Sequence, residues 1–118
     1  MNQKQRKQLS SAIQALSPFG DAEHCLEQGH AAVLNAVEEA KSVFQGMADD
    51  EREKFDNLPE AFRNGDRAAA MEEAADSLEF AVDDLDNADL SERVTLEEGW
   101  HDDVAGFIQE AIDTAAEI

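Results

Sequence analysis

Apolar residues recur along this chain at the three-to-four spacing of amphipathic helices, and no stretch of useful length alternates with the two-residue period of a strand. Leu9, Ala12, Ile13 and Leu16 predict a short first helix, closed by Pro18 and Gly20. Asp21 can cap a second helix, whose apolar stripe is Ala22, Leu26, Gly29, Val33, Ala36, Val37, Ala40, Phe44 and Met47. At 100° per residue, Phe55 and Leu58 stay on that stripe. The pattern therefore predicts one helix from about 21 to 57, carried through Gly46 and the DDERE segment, and roughly 55 Å long.

The stretch NLPEAFRNGD reads as a corner. Asn57 and Glu60 have capping-box spacing, Pro59 suits a first helical turn, and Phe62 can continue the apolar row of Phe55. Asn64 and Gly65 can take left-handed backbone angles, and Asp66 can cap the next helix. This third helix is expected over about 67–88, with Met71, Ala74, Ala75, Leu78, Ala81, Val82 and Leu85 buried. A fourth is expected to begin near Thr95, where Thr95 and Glu98 again have capping-box spacing, and to bury Leu96, Trp100, Val104, Phe107, Ala111 and Ala115. Residues 1–118 thus read as one all-α domain, a small helical bundle built on a long antiparallel helical hairpin.

Charge sharpens this picture. The chain has 28 acidic and 9 basic residues, a formal net charge of −19. Residues 68–118 hold 16 acids against Arg93 alone, and residues 1–67 hold 12 acids against 8 bases. Such a field opposes direct binding to nucleic acid or to an anionic membrane and favours basic partners, cations or plain solubility. The longest purely apolar run is AAVL, far short of a membrane span, and the basic start MNQKQRK leads into residues too polar for a signal-peptide core. The expected location is the cytoplasm.

The segment EREKFDNLPEAFRNGDRAAAMEEAADSLEFAVDDLD carries a corner, Phe55-Asp56-Asn57-Leu58-Pro59-Glu60, followed by an acidic helix. In this it resembles small, acidic, helical proteins encoded by bacteriophages and prophages. The resemblance covers about a third of the chain. It implies a phage setting, a host-cell cytoplasmic location and a helical hairpin, and it supplies no catalytic residues. Small acidic phage proteins often inhibit host defence or nucleic-acid enzymes, an analogy of setting.

Two Glu-x-x-His matches, Glu27/His30 and Glu98/His101, have the spacing used in di-iron carboxylate bundles. Their glutamates fall on polar helix faces, Glu27 at roughly 140° from its apolar stripe, and the first helix has no acid to bridge a metal pair. No metal or cofactor is expected. DDLDNADLSE fails the calcium-loop template, with Ala88 where a ligand belongs and no glycine for the turn. Cys25 stands alone beside the apolar stripe and reads as an inert buried thiol. The chain has no Gly-rich phosphate loop and no Ser-His-Asp set, so the expectation is a non-enzymatic protein.

The acidic third helix remains. Glu72, Asp76, Glu79, Asp83 and Asp86 fall within about 40° of one line, flanked by Glu73 and Asp84. Seven carboxylates over about 22 Å give one charge per roughly 3 Å, close to the one per roughly 3.4 Å of a single DNA strand. Such a helix can occupy a basic nucleic-acid groove. A solvated acidic face has the same composition. Phe80 projects roughly 150° from the buried face, among these acids, as an interface anchor or a second packing contact would. The expected partner surface is therefore Glu72, Glu73, Asp76, Glu79, Phe80, Asp83, Asp84 and Asp86, facing a basic host protein such as a defence nuclease. The rival expectation is a structural or assembly protein, a helical homodimer or larger oligomer whose charge serves solubility.

Overall fold

The computed structural model describes residues 2–62, 64–88 and 99–118. Among them it forms α1 (Gln3–Leu16), a 3-10 turn (Ser17–Gly20), α2 (Ala22–Gln28), α3 (His30–Asp56), a second 3-10 turn (Glu60–Phe62), α4 (Asp66–Ala88) and α5 (Trp100–Ala116). The chain is all-α, and α3, α4 and α5 pack as a helical bundle with α4 against both of the others. The molecule measures 54 × 25 × 17 Å along its principal axes.

Local chemistry explains where the helices begin. Asn2 and Gln5 form a reciprocal capping box at the start of α1, with Gln5 N–H donating to Asn2 Oδ1 at 2.8 Å and Asn2 N–H to Gln5 Oε1 at 3.0 Å. Pro18 opens the turn that ends α1. Asp21 Oδ1 then accepts the Glu23 N–H at 3.2 Å and caps α2.

The long helix expected over 21–57 is divided at Gly29. Its φ of 87° and ψ of 162° lie where an L side chain is strained, so glycine alone takes them readily. The pattern concealed this break because Leu26 and Val33, seven residues apart, keep a helical phase across it. Before the break α2 buries a different side: Cys25 is buried and Leu26 is 56% exposed. Gly46 and the DDERE segment lie within α3.

The corner also departs from expectation in three details. Asn57 closes α3, its N–H bonded to Glu53 O at 3.0 Å. Phe62 N–H bonds Pro59 O at 2.8 Å to make the 3-10 turn, and the Phe62 ring is 64% exposed. Among the described residues positive φ occurs at Gly29 and Gly99, so Asn64 and Gly65 do not use left-handed angles. The expected start of the fourth helix, with Thr95, Leu96 and Glu98, lies outside the described residues.

The core follows the predicted rows. Val33, Val37, Ala40, Phe44 and Met47 of α3 meet Leu78, Ala81 and Leu85 of α4 and Val104, Ile108 and Ala111 of α5 in one buried cluster. Val82, Trp100 and Phe107 are partly buried at its margin. Ala105, Ile108 and Ile112 widen the buried face of α5 beyond the sequence expectation. Each fully buried Leu, Ile, Val or Phe stabilises the fold by about 1.5–3 kcal/mol over leaving it exposed.

One polar network crosses this core. Glu51 is fully buried, and Lys54 Nζ donates to its Oε1 at 3.3 Å and also to Gln5 Oε1. The capping residue of α1 is thereby tied to the C-terminal half of α3. That bond places the start of α1 beside the end of α3.

Candidate functional site

The acids of α4 occupy three different environments, set by what lies across from each. On the side facing α3, Arg52 forms a fork. Its Nε and Nη2 reach Glu79 Oε1 and Oε2, each at 2.7 Å, and Nη2 also reaches Asp76 Oδ1 at 3.0 Å. Lys41 Nζ pairs with Asp86 Oδ1 at 2.5 Å. Descending α3 from 52 to 41 thus ascends α4 from 76 to 86, so the pairs run in opposite senses along the two helices.

The fork shifts the titration of Arg52 and Glu79. Hydrogen bonding to Glu79, then to Asp76, raises the pKa of the Arg52 guanidinium, and the same Arg52 bonds hold the Glu79 carboxyl below its ordinary value. Arg52, Asp76 and Glu79 remain 43%, 51% and 40% exposed, so solvent screens the bridges and their net stabilisation is small.

The side facing α5 is the reverse. Asp84 is partly buried, and burial first, then the charges of Glu110 and Asp83, push its carboxyl above the usual range. No described cation offsets that repulsion.

The outward face lies between these edges. Glu72, Glu73 and Asp83 are exposed and form no ion pair among the described residues. Phe80 stands among them, 63% exposed. Glu73 also borders a small cleft of about 160 Å³ that Arg6, Ser77 and Glu117 share.

The eight residues singled out in the sequence therefore share one helix but not one condition. The continuous row of seven available charges does not exist, because Arg52 and Lys41 occupy Asp76, Glu79 and Asp86. A sequence signal for this was present. Lys41 and Arg52 are eleven residues apart, about 20° in helical phase, and so lie on one edge of the apolar stripe of α3.

The remaining candidates are simpler. Gly29 places Glu27 in α2 and His30 in α3, both exposed, so the i, i+3 geometry of that pair is lost. Glu98 of the second pair lies outside the described residues, and His101 is partly buried with its Nε2 3.9 Å from Asp102 Oδ2. Among the described residues no three His, Cys, Asp or Glu side chains gather as a metal-holding group. Residues 89–92 of the DDLDNADLSE segment likewise lie outside the described residues, and its first six residues are the end of α4. The Cys25 thiol is fully buried, donates to Phe19 O at 3.1 Å, and has its pKa raised, first by burial and then by Asp21, which disfavours the nucleophilic thiolate. Among the described residues no helix is long and apolar enough to cross a membrane.

Comparison with protein-family models, with curated protein sequences and with solved structures found no match to this chain.

Proposed function

We propose that this chain is a non-enzymatic binding protein whose acidic α4 face covers a basic, nucleic-acid-binding surface of a host protein, in the manner of a DNA mimic. The observation that carries the reading is Phe80, a large apolar side chain 63% exposed on the helix where Glu72, Glu73 and Asp83 form no ion pair among the described residues. An apolar anchor ringed by like charge suits a partner that is basic around a hydrophobic pocket. In the phage setting implied by the FDNLPE corner, that partner is a defence nuclease or another cytoplasmic nucleic-acid-binding protein of the host.

The bound face has two parts. Glu72, Glu73 and Asp83 meet the partner's cations directly. Asp76, Glu79 and Asp86 contribute once partner arginines or lysines share or displace Arg52 and Lys41, and Asp84 lines the α5 side. Glu72→Gln, Asp76→Asn, Glu79→Gln and Asp83→Asn combined should abolish capture of the partner from host lysate while leaving the helical circular-dichroism signal intact. Duplex DNA in excess should displace the captured protein, and raised salt should weaken it steeply. Capture that survives both the quadruple variant and excess DNA would overturn the reading.

A further inference from the structure

An apolar groove of about 590 Å³ lies between α1 and α3. Ala12, Leu16 and Phe19 from α1 and the turn after it, and Ala36, Ala40 and Val43 of α3, line it, and no residue of α4 does. We propose that this groove is the interface of a two-fold symmetric homodimer, each copy laying α1 into the groove of the other.

The argument is one of charge. A chain at −19 repels its own copy through almost any surface, and α4, with eight acids against Arg67, is the worst. The exception is α1, which carries Lys4, Arg6 and Lys7 and no acid. The α3 rim of the groove carries Glu39, and the helix that forms the other rim carries only positive charge. On α1 the rim row is Ser11 and Ala15, and Lys4, seven residues before Ser11, continues it. On α3 the rim row is Ala32 and Glu39, and Asp50, eleven residues after Glu39, continues it. Lys4, Glu39 and Asp50 form no ion pair within the chain among the described residues.

Symmetry brings these charges together. The bond between Gln5 and Lys54 puts the start of α1 at the same end of the groove as the last turns of α3. A two-fold axis parallel to the groove preserves that level while exchanging the rims. Lys4 of each copy then faces Asp50 of the other, and α1 of each covers the apolar floor of the other. No α4 residue lines the covered groove. The interface is isologous and closes at two copies.

This inference is independent of the α4 reading, and its test uses residues that reading does not. Sedimentation equilibrium of the purified full chain should give twice the 12.9 kDa chain mass at micromolar concentration. Ala15→Glu, at an exposed position, should give a folded monomer by circular dichroism. Lys4→Glu should weaken the dimer about ten-fold or more, and adding Asp50→Lys should restore it. Phe80→Ala should leave it intact. A monomer at all concentrations, a dimer indifferent to Ala15→Glu, or no rescue of Lys4→Glu by Asp50→Lys would overturn the proposal.

Discussion

The two edges of α4 carry the same kind of side chain and opposite energetics. Toward α3, Glu79 and Asp76 accept from one guanidinium and Asp86 pairs with one ammonium, and the fold favours the Glu79 charge. Toward α5, Asp84 is partly buried and feels the charges of Glu110 and Asp83, so its charge is opposed by the fold. Neither edge is what holds α4. Between them runs the buried row of Met71, Ala74, Ala75, Leu78, Ala81 and Leu85, and apolar burial there outweighs solvent-screened pairs and repulsions. An acid-rich helix is thus tolerated because its charge is confined to edges that the apolar row can override.

That division predicts a ranking of effects. Leu78→Ala should be the most damaging, costing about 2–5 kcal/mol of stability in denaturant unfolding, because it opens a cavity where the fully buried side chain sat. Equal losses from Leu78→Ala and from an edge variant would break the comparison.

Phe80→Ala comes next, and its effect should appear in a different measurement. Partner binding should fall by about 2 kcal/mol, read by calorimetric titration, while the melting temperature stays nearly constant. A lowered melting temperature would move Phe80 from a binding role to a packing one.

Asp84→Asn should stabilise the protein by about 0.5 kcal/mol at neutral pH, by removing a charge that burial first and then its acidic neighbours disfavour. The sign follows from its raised pKa. The folded state binds this proton more tightly than the unfolded state, so the wild-type penalty is present at neutral pH and is relieved as pH falls through the folded value. The advantage of Asp84→Asn should therefore vanish on acidification, as melting curves at several pH values would show.

Arg52→Ala should give the smallest shift and the opposite trend. Glu79 has a lowered pKa, so its bridge contributes above the unfolded value and is lost as pH falls through the folded one. The difference between wild type and Arg52→Ala should be present at neutral pH, shrink in acid, and shrink again at high salt. A difference that persists in acid would mean that Arg52 acts through packing of its stem.

Much of this was legible in the residues, and the misses have local causes. The rows of α4 and α5 were readable because their apolar residues repeat without interruption. The division between α2 and α3 was not, since Gly29 sits inside a helical repeat whose phase survives it, and only its φ of 87° reveals the turn. Pro59 and Asn57 did mark a corner, yet the corner is a 3-10 turn, because Pro59 contributes its carbonyl to Phe62 three residues on. At the candidate site, the outward direction of Phe80 was readable from α4 alone. The capture of Asp76, Glu79 and Asp86 was not, because the capturing groups are 24 to 45 residues away along the chain.

The sequence by itself determined that the chain is helical, which sides of α3 and α4 are apolar, how acid is loaded onto α4, and that Phe80 points outward. All of these follow from a 100° step within a single element. Tertiary structure alone decided that Arg52 and Lys41 meet one edge of α4, that Glu110 meets the other, and that α1 and α3 leave an open groove between them. Those outcomes depend on how each helix is rotated and shifted against its neighbour. Rotation and shift are fixed by the interlocking of buried side chains from several helices at once.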